Sequence, residues 1–277
     1  RVEIARYVYR PHVDPRESPK PYFHPVRTLV GDVVTLARPI DHPWHHGIAF
    51  SFAEVSGENF WGGATYVAGE GYKVLDNFGY QHHESFEGMY ATESGAGFTE
   101  NLTWVAHSGE TWISERRQVG IALTDSKKQC WRLTFHTSLR NVSGDNLEFG
   151  SPTTQGRPNA GYGGLFWRGP RSFLDGEVMT QAGTDGSDAM GTRSSWLSYT
   201  GQHDGSCNTT SMVFADSRDN PRYPTKWFVR TDPFACASFA FTFDEVYTLP
   251  PGDSLSLAYS VFVSSAALSR ESIEALL

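Results

Sequence analysis

The sequence predicts an all-β fold: a large antiparallel β-sandwich with very little helix. Three observations carry this expectation. Residues 131–139 and 255–263 alternate apolar and polar side chains with the period of two that marks a strand burying one face. Turn residues recur at short intervals between many such segments, as in sandwiches and barrels. Only residues 267–277 read as a helix.

The elements follow in order. Residues 26–36, with Gly31 and Asp32 in their middle, read as a hairpin, and residues 48–55 as a short strand. Residues 98–106 and 111–123 flank the turn His107-Ser108-Gly109-Glu110 and are expected to pair as a second hairpin. In the strand that follows, Trp131, Leu133, Phe135, Thr137 and Leu139 share one face, and Arg132, Thr134, His136 and Ser138 share the other. Residues 176–195 are rich in Gly, Ser, Thr and Asp and read as a long loop. Short strands are expected at 211–215, 227–230 and 237–243, and Leu255, Leu257, Tyr259, Val261 and Val263 line one face of the last strand. Ser269 is placed to cap the terminal helix, with Ile273, Ala275 and Leu276 behind it. Strand patterns of one kind lie on both sides of 176–195, so residues 1–277 are read as a single domain. No fixed-period repeat points to a propeller or solenoid.

Composition narrows the function classes. A chain of 277 residues can bury a sizeable core without disulfide or metal staples. Its 23 Lys and Arg are scattered and outnumbered by 31 Asp and Glu, so no basic stripe suits nucleic acid. No apolar run approaches the ~18 residues of a membrane-spanning helix, and no basic amphipathic helix suits a membrane surface. Arg1 is followed by no apolar stretch of the kind a signal peptide needs. Cys130, Cys207 and Cys236 make neither a disulfide framework nor a zinc spacing, and Cys130 beside Trp131 reads as a small buried hydrophobe. The expectation is a cytoplasmic protein with a small-molecule partner; the pattern carries no information on oligomeric state.

One segment concentrates chemistry. Asp41-His42-Pro43-Trp44-His45-His46-Gly47 holds three imidazoles, a carboxylate and an indole in a loop marked by Pro43 and Gly47. Imidazoles exchange protons near neutral pH, or ligate metals. Pro43 forbids the helical His-x-x-x-His geometry of metalloproteases, so a divalent metal here would need His42, His45 and His46 with a distant fourth ligand. In Gln81-His82-His83-Glu84, His83 or Glu84 offers a second proton-transfer group. The stretch Gly156-Arg157 to Trp167-Arg168 combines glycines, which allow close approach of a ligand, with the Arg157 and Arg168 forks and the flat faces of Tyr162 and Trp167. Trp44, Trp61, Trp167, Trp196 and Trp227 sit among Arg, Asn, His and Asp, the surroundings that suit a sugar ring stacked on indole.

Phe23-His24-Pro25, the loop 41–47, Phe60-Trp61, Trp196-Leu197-Ser198-Tyr199-Thr200-Gly201 and Asn220-Pro221 through Trp227-Phe228-Val229-Arg230 occur in that order. This series resembles an uncharacterised bacterial family labelled methane oxygenase PmoA-like, over nearly the whole chain. The resemblance implies a supersandwich similar to galactose mutarotase, a tie to sugar catabolism, and a site of His24, His42, His45, His46, Trp61, Tyr199 and Arg230. That family's loop often reads His-His-Arg-Gly where this chain has His-His-Gly, so an arginine contact is missing or supplied from elsewhere.

The resulting expectation is a carbohydrate-active enzyme that moves protons on a sugar or keto-glycoside, by epimerisation or elimination. His45 or His46 would act as base, with His24 beside them and His83 as acid. Arg157, Arg168 or Arg230 would stabilise oxyanion charge, and Trp44 or Trp61 would stack the ring. Two alternatives stand beside it: a metal-dependent hydrolase, lyase or oxygenase using the histidine cluster, and a non-catalytic carbohydrate-binding module.

Overall fold

In the computed structural model, residues 3–125 and 129–277 are described; Arg1 lies outside them. Two antiparallel sheets dominate. The larger has eight strands in the spatial order Glu177–Thr180, Trp196–Gln202, Thr209–Asp216, Ser254–Ser264, Cys130–Asn141, Thr111–Asp125, Gly95–Val105 and Tyr80–Ala91. The smaller has six, in the order Ala5–Val8, Tyr22–Val26, Ile48–Phe52, Gly163–Arg168, Cys236–Phe239 and Trp227–Arg230. Small sheets of three and two strands complete the β structure. The one α-helix, Arg270–Glu274, is capped by Ser269, whose side chain accepts from Ser272 N. The predicted all-β sandwich with very little helix is thus observed. No helix among the described residues is long and apolar enough to cross a membrane.

The sheets face each other across an aromatic-rich core. Trp131, Leu133, Phe135 and Leu139 point inward from the eight-stranded sheet, as their alternation predicts, and meet Phe50, Phe52, Trp167 and Phe239 of the six-stranded sheet. Phe50 lies 5.4 Å from Phe135, Phe214 5.5 Å from Trp167, and Tyr259 4.2 Å from Phe239, measured between ring centroids. Burying each such side chain is worth roughly 1.5–3 kcal/mol, so this layer dominates the favourable side of folding.

The two sheets differ in their outer faces. The outer face of the eight-stranded sheet carries Thr134, His136 and Ser138, and His136 is exposed. The six-stranded sheet is covered on both sides, and Ile48–Phe52 and Gly163–Arg168 are buried at every position. Leu165 and Trp167 enter the main core, whereas Phe166 enters a second apolar cluster with Trp61, Phe228 and Phe243 on the opposite face. That second face carries the candidate site.

Three expectations are corrected. Residues 26–36 form no ladder: a single bridge joins Arg27 to Val33, and Thr28 N donates to Asp32 O at 2.9 Å around Gly31. Val26 belongs instead to Tyr22–Val26, a strand that Pro25 disguises because proline cannot donate to a ladder. The long loop 176–195 contains an edge strand, Glu177–Thr180, paired with Trp196–Gln202. The strand expected at 237–243 stops at Phe239, where Phe243 N turns back to Ala240 O at 2.9 Å.

Candidate active site

The loop 36–47 is built by two successive turns. His42 N donates to Pro39 O at 3.1 Å, and His45 N donates to His42 O at 3.0 Å with Pro43 and Trp44 between them. Proline preorganises the second position of such a turn, and the turn brings its first and fourth residues together. His42 and His45 are those residues, and their rings stack at 4.7 Å with planes 17° apart. Gly47 N donates to Leu36 O and Arg168 N to Gly47 O, tying the loop to the six-stranded sheet. Gly47 has φ +59°, and a Cβ there would sit 2.2 Å from Phe23 O, so only glycine fits.

Arg168, buried on the outer face of the six-stranded sheet, organises the pair. Its Nη1 donates to His45 Nδ1 at 2.9 Å and its Nη2 to Asp41 Oδ2 at 2.8 Å. His42 Nδ1 lies 2.8 Å from the same Asp41 oxygen. Burial pushes the Asp41 carboxyl up, but hydrogen bonds from Arg168 and His42 outweigh it and hold the group at about 2. Asp41 is therefore ionised and accepts, so His42 Nδ1 carries a proton and donates to it. Guanidinium only donates, so His45 Nδ1 accepts and the proton of neutral His45 lies on Nε2. Burial first, then the neighbouring His42 and Arg168, pushes the His45 pKa well below the ordinary imidazole range, so it stays neutral. The two Nδ1 atoms of the stacked rings therefore play opposite parts, donor in His42 and acceptor in His45.

Both rings border a pocket of about 390 Å³, within the range of small-molecule sites. Trp61 and Phe166 form its floor, 4.9 Å apart, and Trp61 meets the His45 ring at 5.9 Å, edge to face. Trp44 lies over Gly63, where a Cβ would come within 2.6 Å of the indole. Tyr162 packs on Trp61 at 4.9 Å, and its hydroxyl is 3.0 Å from that of Tyr72. Burial, and then Tyr72, pushes the Tyr162 pKa well above its ordinary value, so it keeps its proton. Arg157, Arg230, Phe228 and Phe234 complete the wall.

Of the residues expected at the site, His42, Trp44, His45, Trp61, Arg157, Tyr162 and Arg230 come together here. Arg168 stands behind His45 and orients it rather than lining the cavity.

The others lie elsewhere. His46 is fully buried, and its Nε2 meets Glu17 Oε2 at 3.0 Å, an oxygen shared with Arg38 Nε. Burial first, then Lys20, pulls His46 down to about 4. It latches the 3₁₀ turn Pro15–Glu17 beneath the loop and has no access to the pocket. His24, half-buried, lies 2.9 Å from Thr35 Oγ1. His83 lies in the eight-stranded sheet, 2.6 Å from Glu100 Oε1, within a buried network completed by Tyr7, Gln81, Glu115 and Arg117. Trp167 and Tyr199 belong to the main core; the Trp167 indole donates to Val34 O and the Tyr199 hydroxyl to Phe173 O. Side chains so enclosed cannot stack a ligand in the pocket.

The metal arrangement expected of His42, His45 and His46 does not form. His45 Nδ1 is occupied by Arg168, and His46 turns toward Glu17. Among the described residues no group of three or more His, Cys, Asp or Glu side chains is arranged to hold a metal ion.

The residues overlooked in sequence are Asp41 as orienter, Tyr72, Phe166, Phe228, Phe234 and the buried Lys20. Lys20 Nζ donates to the carbonyls of Glu17, Ser18 and Trp61 at 3.1, 3.0 and 2.7 Å. It thereby ties the pocket floor to the latch under the loop.

A family model described as "Family of unknown function (DUF6807)" matches residues 1–277. No curated protein matches the sequence. Among solved structures, the alpha-galactosidase from Lactobacillus brevis is similar with a TM-score of 0.37 and 10% identity, over 84% of this chain and 33% of that one. A putative kojibiose phosphorylase from human microbiome is similar with a TM-score of 0.32 and 9% identity, over 70% of this chain and 23% of that one. The chain spans a third or less of the length of either.

Proposed function

The chain belongs to the family of unknown function DUF6807, and we propose that it is a carbohydrate-active enzyme moving protons on a sugar or keto-glycoside with His42 and His45. The observation that carries this reading is the pair of stacked imidazoles at the edge of an aromatic pocket, one backed by the Asp41 carboxylate and the other by the Arg168 guanidinium.

Each ring has one task. His42, oriented by Asp41, presents an Nε2 lone pair and is the general base. His45, kept neutral, presents Nε2–H and is the hydrogen-bond donor, as neutral imidazole can polarise a carbonyl. This reverses the sequence-based expectation, in which His45 or His46 was the base. His42 takes a proton from a hydroxyl, or from carbon next to a keto group. In the second case the C–H electron pair moves toward the carbonyl oxygen, where the His45 N–H stabilises the developing charge. Protonation of that carbon on its opposite face by a water molecule, with His42 giving up its proton to solvent, gives an epimer. Expulsion of an oxygen substituent β to the carbonyl, with the proton passing from His42 to that oxygen, gives elimination. A positioned base contributes about 10²–10⁴-fold and an oxyanion donor about 10²–10³-fold, enough for such steps.

The supersandwich likeness to galactose mutarotase, implied by the motif series, is in keeping with this reading. The aromatic floor of Trp61 and Phe166 supports a sugar ring, whose C–H faces favour flat apolar surfaces. The test is an NMR screen of sugars and 3-keto-glycosides in deuterated water, run on the wild-type chain and on His42→Gln. Turnover or deuterium incorporation that disappears in the variant supports the enzyme. Sugar binding with neither, in the wild type, points instead to a carbohydrate-binding module.

A further inference from the structure

Resting on the reading of this pocket as a sugar site, we infer that its ligand is an anionic sugar. The ligand carries a carboxylate or phosphate held between Arg157 and Arg230, at the end of the pocket away from the imidazoles. Other arginines near the site have carboxylate partners: Arg38 pairs with Glu17, and Arg168 with Asp41. Arg157 and Arg230 have none among the described residues. Arg157 donates only to the Tyr72 hydroxyl and lies over that ring at 4.7 Å. Arg230 reaches the Asn159 carbonyl at 3.4 Å and lies over Phe228 at 5.3 Å.

A continuous chain of contacts sets these two guanidiniums around one phenol. Arg157 touches Tyr72, Tyr72 touches the Tyr162 hydroxyl, Tyr162 packs on Phe228 at 5.4 Å, and Phe228 underlies Arg230. Both arginines also act on Tyr162 electrostatically, each working against the effect of burial. Among the described residues, no Asp or Glu borders the pocket. In a chain with 31 acidic against 23 basic residues, two uncompensated cations in one acid-free cavity are not a product of composition. Trp61 stands between this end and His45, so a ring seated on it would present its charged substituent to the arginines and another carbon to the imidazoles. Guanidinium forks match carboxylate and phosphate oxygens, and such charge-assisted bonds are about twice as strong as those to neutral hydroxyls.

The test is calorimetric titration of the full chain with glucose, glucuronate, glucose 6-phosphate and inorganic phosphate, at low and raised salt. Glucuronate or glucose 6-phosphate is expected to bind at least about tenfold tighter than glucose, with the advantage shrinking in salt. The glucuronate and phosphate arms distinguish the two anions. Arg157→Gln and Arg230→Gln should each remove most of the advantage; the salt dependence of the wild type reads the same property without a variant. Equal binding of glucose and its charged forms overturns the anionic preference and leaves the sugar reading standing. Inorganic phosphate binding as tightly as glucose 6-phosphate overturns the sugar reading and the inference with it. Absence of binding by all four probes also overturns the inference.

Discussion

His42 and His45 stack within 4.7 Å, yet their Nδ1 atoms play opposite parts, one against the Asp41 carboxylate and the other against the Arg168 guanidinium. The difference comes from their partners. A carboxylate behind His42 takes a proton's hydrogen bond, and a guanidinium behind His45 supplies one. The two rings should therefore fail differently when changed. His42→Gln is expected to lower kcat by about 10²–10⁴-fold. His45→Gln keeps an acceptor for Arg168 but loses the ring N–H and is expected to cost about 10²–10³-fold. Steady-state kinetics and sugar titration on both variants check this; affinity should change by far less than turnover.

Asp41→Asn should preserve the shape of the loop while weakening the preference for the His42 Nδ1–H tautomer. The expected result is a loss of kcat exceeding about tenfold with little change in KM. An unaltered kcat would remove Asp41 from the machinery. Arg168→Lys should not restore function, because a point charge cannot reach His45 and Asp41 with two parallel donors.

Acid should destabilise the chain from about pH 6.5 downward, above the range in which ordinary carboxylates titrate. His46 is held at about 4 and His45 well below its ordinary value, both chiefly by burial. An unfolded imidazole titrates near 6.5, so below that pH the unfolded chain binds protons that the folded chain refuses. Stability is then full above about pH 6.5 and falls as the pH drops toward 4. Asp216, raised by burial to about 6, has the opposite sign and offsets part of this between about pH 4 and 6. A net loss on the order of 1–3 kcal/mol between pH 7.5 and 5 is expected from urea unfolding, and His46→Gln should flatten the slope. An unchanged urea midpoint would contradict it.

Lys20 is buried and pulled down to about 7 by that burial, with Glu17 opposing. Lys20→Met would strand three buried carbonyls at once. A destabilisation on the order of 2–4 kcal/mol is expected from chemical unfolding, with loosened order around Trp61 visible in its fluorescence.

Gly47→Ala should lower the melting temperature measurably, since the new Cβ would meet Phe23 O at 2.2 Å in a left-handed backbone. The cost is expected to exceed about 1 kcal/mol, and calorimetric melting reads it directly.

Much of the fold was legible where one face of a strand meets water. Trp131 to Leu139 alternates because its outer face meets solvent, and the same holds for Leu255 to Val261, beyond which Phe262 is buried on the outer face. Gly163–Arg168 hides its strand character because both faces are covered, so Gly-Gly-Leu-Phe-Trp-Arg shows no alternation and its glycines suggest a loop. The site was legible as a region, since few loops gather so many imidazoles. Which imidazole faces the ligand was not. His45 and His46 are neighbours in sequence, and their separation into pocket and latch depends on Arg168, 123 positions from His45, and on Glu17, 29 positions from His46. The Asp41–His42 contact was local, and Pro43, read only as marking a loop and excluding a helix, also sets the turn that stacks His42 on His45.

The doubly covered strand Gly163–Arg168 couples two properties that many enzymes keep apart. Trp167 supports the interior, while Phe166 and Arg168, its immediate neighbours, shape the reactive side. Any drift in the interior that shifts this strand also shifts the floor and the orientation of His45. Change at the pocket is then left to the periphery, where Tyr72 stands in the two-stranded sheet and Arg157 and Phe234 on connecting segments, all outside the large sheets. The pocket floor is thereby tied to the interior, while part of its rim stands apart from both large sheets.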